Sequence, residues 1–197
     1  MRVFLTQGLE GARQAKGLAV IIDVFRAFTT ACFVHAAGGE ILAVAAEERR
    51  DLSGRTVVFT TSAGTQGLAA ASGAEEIVTG SFVNARAVVE HIRARDPETV
   101  TLVALGESGL WPSPEDSMCA IYLKNELEGF PNSFETLARY LRDVPSAAKF
   151  HAPDKDYAPA RDLDLCLDLD RFGFVLAAVP GPGGSLLLQP RTPGAPA

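Results

Sequence analysis

Asp23, Arg26, Thr29 and Thr30 stand together directly after the apolar run Leu18-Ala19-Val20-Ile21-Ile22. A carboxylate, a guanidinium and two hydroxyls in so short a span have the chemistry of an anion and metal site. The carboxylate can hold a hard cation, and the guanidinium can clamp a phosphoryl group through two parallel hydrogen bonds. A plainer account needs no ligand: Asp is a preferred N-cap residue, and Arg26 can pair with a surface carboxylate. Other parts of the chain bear on the choice.

Three further segments have a similar make-up: Thr60-Thr61-Ser62-Ala63-Gly64-Thr65, Gly80-Ser81-Phe82-Val83-Asn84, and Gly106 through Asp116. Each is polar, with glycine or hydroxyl side chains, and each falls between an expected strand and an expected helix. Backbone N–H groups at helix starts, together with Ser and Thr hydroxyls, hold phosphate or sulfonate well. Thr29, Thr30, Thr61, Gly64, Thr65, Ser81 and Asn84 are the candidates for substrate contact, and Asp23 and Arg26 for catalysis. Asp23, Glu115 and Asp116 offer only oxygen ligands, which favour Mg2+ above other metals. Behind Ser113 and Pro114, however, Glu115 and Asp116 also have the pattern of a capping box.

The run Asp162 to Asp170, Asp-Leu-Asp-Leu-Cys-Leu-Asp-Leu-Asp, has two readings. As a strand it turns its leucines inward and its aspartates outward. As a helix it sets Asp162, Cys166 and Asp170 near one face. A row of Asp is usually a solvated edge, and Cys166 has no His near it in sequence to make it a nucleophile. His35 and His91 fall within expected helices, and His151 within a loop.

These residues need a scaffold that brings strand ends together. The Leu18–Val24 run is β-branched and continuous, as suits a strand buried on both faces of a parallel sheet. Further strands are expected at 2–5, 40–44, 55–61, 75–79, 99–105 and 172–179. Helices are expected at 27–37, from Ser62 to Ser72, from Ala85 onward, from Ser113 onward and at 132–145. The spacing of Ala85, Val88, Val89 and Ile92 is that of an amphipathic helix. This alternation predicts an α/β fold with a mostly parallel sheet and helices on both faces. In such sheets ligands sit outside the carboxyl ends of the strands, where all four polar turns would gather. Residues 1–180 read as one domain and 181–197 as a Pro/Gly-rich C-terminal tail, in which Leu186–Leu188 could add a short edge strand.

The chain has 197 residues, 47% hydrophobic and 21% charged, with a net charge of −6. An acidic chain without a basic patch does not suit nucleic acid. No apolar run reaches the ~18 residues of a membrane span, and the N-terminus lacks the form of a signal peptide. Cys32, Cys119 and Cys166 are widely spaced and form no zinc pattern, as reduced thiols of a cytoplasmic protein would. The expected partner is a small anionic phosphoester, with no nucleic acid and no membrane. A symmetric homodimer is left open.

The segments VIIDVFRAFTT (20–30), VVFTTSAGT (57–65), GSFVNARAV (80–88), PEDSMCA (114–120) and DLDLCLDLD (162–170) resemble, in order, those of the 2-phosphosulfolactate phosphatases. The resemblance implies an α/β fold of that family's own type, Mg2+, and hydrolysis of 2-phosphosulfolactate to sulfolactate and phosphate. By position it carries over Asp23, Arg26, Thr61, Gly64, Thr65, Ser81, Asn84, Glu115, Asp116 and Cys166. The chain departs from the family pattern in a shortened stretch at Ala46-Glu47-Glu48-Arg49. It departs also at Ala63, where the family has Asn, and at Ile121, where it has Gly. Phe25 stands where an Asp-x-Asp phosphatase needs its second Asp, which disfavours that mechanism. The alternative function is a small-anion-binding protein that keeps the fold without the chemistry.

Overall fold

The computed structural model describes residues 1–43, 56–59, 63–152 and 158–195, with the backbone alone for 42, 43 and 56–59. Every residue of strand β2 (Leu18–Ile22) is buried. The strand lies between β5 (Glu76–Gly80) and β6 (Thr99–Ala104) and runs parallel to both. Strand β1 (Arg2–Gln7) extends this parallel block outside β6.

Strand alternation sends the side chains of β2 into two cores. Leu18, Val20 and Ile22 pack with residues of α4 (Ala85–Arg95) and α5 (Pro114–Glu128). Ala19 and Ile21 pack with residues of α1 (Gly8–Arg13), α2 (Ala27–Ala36) and α3 (Gly64–Ala70). Two-sided burial is what made the run legible as a central strand. A fully buried Ile contributes roughly 1.5–3 kcal/mol by removal from water. In α4, Ala85, Val88, Val89 and Ile92 are all buried, as their spacing predicts.

The other half of the sheet is mixed. Strand β7 (Val175–Pro180) pairs antiparallel with β5, and β8 (Leu186–Arg191) pairs antiparallel with β7. Strand β3 (Glu40–Ala43) then pairs antiparallel with β8, and β4 (Thr56–Phe59) parallel with β3. The full order is β1-β6-β2-β5-β7-β8-β3-β4.

Three local expectations change. Residues 186–191 are an interior strand, not an edge or part of a tail, and Pro-Gly-Pro-Gly-Gly is the hairpin loop between β7 and β8. Gly181 N–H closes that loop on Ser185 O at 2.8 Å. Because β8 lies between β7 and β3, strands β3 and β4 run opposite to β2. Three of the four polar turns, those after β2, β5 and β6, therefore share an edge; β4 runs the other way, and of the fourth segment Ala63 still lines the cleft at that edge. Finally, Gly8 and Gly11 lie in helix α1, which is not among the expected helices. Its small residues let it lie close to the sheet, since a Cβ on Gly11 would meet Thr6 Cβ at 2.8 Å.

Between α5 and β7 lie α6 (Phe134–Leu141), a 3-10 turn at Pro145–Phe150, and α7 (Ala160–Cys166). The Asp-Leu run thus starts as a helix, with Leu163 and Cys166 buried. Among the described residues no helix is long and apolar enough to cross a membrane, and Cys32, Cys119 and Cys166 are free and buried.

Candidate functional site

At the carboxyl ends of β2 and β6 opens a cleft of about 740 Å³, lined by Asp23, Ala63, Glu107, Ser113, Glu115, Asp116, Ser146 and Lys149 among others. Asp23 follows β2 by one residue, and its Oδ1 accepts the Ala27 N–H at 3.2 Å. Arg26, not Asp23, holds the N-cap position of α2, but one Asp23 oxygen satisfies the first backbone N–H of that helix while the side chain also lines the cleft.

Asp116 is held differently. Its Oδ1 accepts the Val24 N–H and its Oδ2 the Gly106 N–H, both at 2.8 Å. One buried carboxylate thus ties the start of α5 to the turns after β2 and β6. Gly106 makes this possible with φ at +71°, where a Cβ would lie 2.1 Å from Trp111 O. Ser113 holds the N-cap position, but its hydroxyl makes no cap hydrogen bond, and it is buried without a partner among the described residues. The capping box expected at 113–116 is absent because Asp116 is engaged with the strand ends. A comparable reciprocal arrangement forms at Ser81 and Asn84 instead.

The cleft is acidic. Burial lifts the Asp23 carboxyl from 3.8 to about 6, against the pull of the Ala27 N–H and Lys149 and with a further push from Glu115. Asp116 is raised well above the usual range by burial first, then by Asp23 and Glu115, with its two backbone donors opposing. Glu115 is steadied by Ser146, whose Oγ donates to Oε2 at 2.6 Å. Like charges gathered in a half-dry cleft favour a cation between them.

Among the described residues no group of three or more His, Cys, Asp or Glu is placed to hold a metal ion. The expected set of Asp23, Glu115 and Asp116 reduces to Asp23 and Glu115, because both oxygens of Asp116 serve the backbone. Two carboxylates still fit Mg2+, which commonly keeps waters and takes one or two carboxylates plus phosphate oxygens.

Several expected site residues lie elsewhere. Arg26 Nη1 donates to Asp162 Oδ2 at 2.5 Å and does not line the cleft. Thr29, Ser81 and Asn84 are buried in a polar network beside it: Thr29 Oγ1 lies 2.6 Å from Ser81 Oγ, and Ser81 N–H donates to Asn84 Oδ1 at 3.1 Å. Thr30 sits in α2 with its N–H on Arg26 O. Gly64 and Thr65 are buried in the first turn of α3, behind Ala63, which does reach the cleft. Thr61 lies outside the described residues, as do Thr60, Ser62 and the shortened stretch at 46–49.

The aspartates after Pro159 pair with arginines: Asp162 with Arg26, Asp164 with Arg142, and Asp170 with Arg86. Burial pushes the Cys166 thiol up to about 12, so it is no nucleophile near neutrality.

Lys149 and Ser146 were not legible in the sequence. They belong to no motif, and the 145–150 segment reads as a polar connection. In a 3-10 turn residues i and i+3 eclipse, and this spacing sets Ser146 and Lys149 side by side on the cleft. Lys149 Nζ donates to Phe25 O at 2.7 Å and lies 5.4 Å from the Phe150 ring centroid.

A family model described as 2-phosphosulpholactate phosphatase matches residues 46–179. The chain belongs to that family. A protein of Caldicellulosiruptor saccharolyticus named a probable 2-phosphosulfolactate phosphatase is 35% identical over 92 residues, 44% of this chain and 38% of its own. Relatives of the same name from Trichormus variabilis and Thermotoga maritima are 27% identical over 157 residues and 29% identical over 142. Those matches cover 60% and 68% of this chain, and 64% and 61% of the relatives. The chain thus spans less than two-thirds of the length of these curated relatives. Of the residues that the resemblance carries over by position, Asp23, Glu115 and Asp116 line the cleft, as does Ala63, the neighbour of Gly64.

Proposed function

We propose that the chain is a Mg2+-dependent phosphatase acting on a phosphate monoester of a small sulfonated or carboxylated acid, 2-phosphosulfolactate being the substrate its family name suggests. The observation that carries this reading is the pairing of Asp23 and Glu115 in one acidic cleft at the carboxyl ends of parallel strands. Asp23 and Glu115 would hold Mg2+, which when bound offsets phosphoryl charge and draws electron density from phosphorus. Asp116 keeps the two turns at a fixed separation, so that Asp23 is presented without reorganisation. With its carboxyl near 6, Asp23 is mostly ionised at neutral pH, as a metal-holding or proton-accepting group needs. Hydrolysis breaks the ester P–O bond, water supplies the new P–O bond, and a proton passes to the departing alkoxide.

Ala63 favours a second reading. Its methyl lines the cleft where the family resemblance expects an Asn, so a polar contact to substrate is missing there. A chain that binds small anions without turnover would look the same elsewhere. Phosphate release from 2-phosphosulfolactate, measured with Mg2+ and with EDTA, separates the two. Release that EDTA abolishes is the expected result. Binding without release in either condition establishes the second reading.

A further inference from the structure

We infer that Lys149 recognises an acid group that the substrate carries beyond its phosphate. This assignment rests on the phosphatase reading above and deepens it.

The charge balance of the cleft is the starting point. Asp23, Glu107, Glu115 and Asp116 line it, and Lys149 is the one cationic side chain among the lining residues described. Arg26, the cation expected from the sequence, is spent on Asp162. A phosphate monoester with one further acid group brings about three negative charges at neutral pH, and 2-phosphosulfolactate, with both a carboxylate and a sulfonate, brings about four. A divalent cation between Asp23 and Glu115 is already offset by those two carboxylates, so a substrate with a further acid group needs a cation from the protein. Lys149 is the one the described lining offers.

The lysine is also unusually well held for its type. Its ammonium donates to Phe25 O at 2.7 Å, two residues beyond Asp23 in the same turn. It lies 5.9 Å from the Phe25 ring centroid and 5.4 Å from that of Phe150. An ammonium has three donors, so two remain after the Phe25 bond. Most of the ordering cost of a long flexible side chain is already met before substrate arrives, which favours affinity. The same turn carries Ser146, the hydroxyl on Glu115. One short segment therefore steadies a candidate metal carboxylate and presents the cation for the second acid.

The test compares the binding of two probes by calorimetry in the presence of Mg2+. Inorganic phosphate has no second acid group, and 2-phosphoglycolate has one. The wild-type chain should bind 2-phosphoglycolate about 10-fold more tightly, the size expected of one charge-assisted contact. Lys149→Met should abolish that preference while leaving affinity for phosphate within about twofold. Should Lys149→Met fail to fold, Lys149→Gln keeps a donor for Phe25 O and should lose the preference in the same way. Three results would overturn the assignment: no preference in the wild type, a preference retained by a folded variant, or equal weakening of both probes. The last would place Lys149 on the phosphoryl group. Wild-type preference lost in the variant, with no phosphate released from any ester, would leave Lys149 assigned and remove the phosphatase reading alone.

Discussion

Asp116 accepts the Val24 N–H at 2.8 Å across 92 residues of sequence. The bond joins the first turn of α5 to the residue directly after Asp23, and the second oxygen repeats the bond to Gly106. A carboxylate that serves two backbone donors in a buried place is a clasp, and its geometry controls the candidate site beside it.

Asp116→Asn tests the clasp. Asn has one acceptor oxygen, so its NH2 must face one of the two backbone N–H groups. Leaving such a donor unsatisfied costs about 1–3 kcal/mol. In a domain of this size the melting temperature should fall by roughly 2–10 °C. An unchanged melting temperature would show that one of the two bonds contributes nothing.

Asp23→Asn should behave in the opposite way. The Ala27 N–H can still be accepted by the Asn oxygen, so the fold is kept. Phosphatase activity should fall by ~10²-fold or more, because the charge that holds the metal or takes the proton is gone. A folded variant with wild-type turnover of a confirmed substrate would remove Asp23 from the site.

The titration of Asp23 gives a pH signature. Its carboxyl is near 6 in the folded chain against an ordinary 3.8. The folded state therefore holds the proton more tightly than the unfolded chain does. The stability this contributes is full below about 3.8 and is lost as pH rises through about 6. Mg2+ that binds the ionised carboxylate should raise the melting temperature at pH values above that range and not below it. Asp23→Asn should flatten both effects. An equal Mg2+ shift at low and high pH would place the metal elsewhere.

Arg26 and Asp162 should act as one unit. Arg26→Lys keeps a charge but loses the planar fork, and Asp162→Asn removes the partner. A double-mutant cycle on stability should show a coupling of about 1 kcal/mol for this half-buried pair. If Arg26 affects turnover only by placing α7 against the Asp23 turn, the two single changes should lower kcat alike. A loss confined to Arg26→Lys would return the guanidinium to the substrate.

Truncation separates the C-terminal segment into two parts. Gly194 N–H donates to His91 Nδ1 at 3.2 Å, and His91 in turn lies 2.9 Å from Glu76 Oε1 in the buried interior. Ending the chain after Arg191 should cost about 1 kcal/mol, or roughly 2–4 °C in melting temperature. Ending it after Pro180 removes β8 from between β7 and β3 and should prevent folding. A stable chain ending at 180 would show that β8 is dispensable.

The sequence by itself determined the central strand, since five consecutive apolar residues have no other place than a sheet covered on both sides. It determined the amphipathic α4 through its 3.6-residue period, and the family through motifs that keep their order. Asp23 and Glu115 were legible because strand ends and helix starts carry local signals in composition. Tertiary structure alone decided which polar residues face the cleft. Thr29 and Ser81 lie near it in sequence pattern but bond to each other in the interior. Arg26 is turned away by Asp162, a residue 136 positions further on. Lys149 reaches the cleft from a turn with no motif, and β8 enters the middle of the sheet from a Pro/Gly-rich segment. Each of these outcomes depends on a partner distant in sequence. Local composition and period report which face of an element is buried, and they do not report what that face meets.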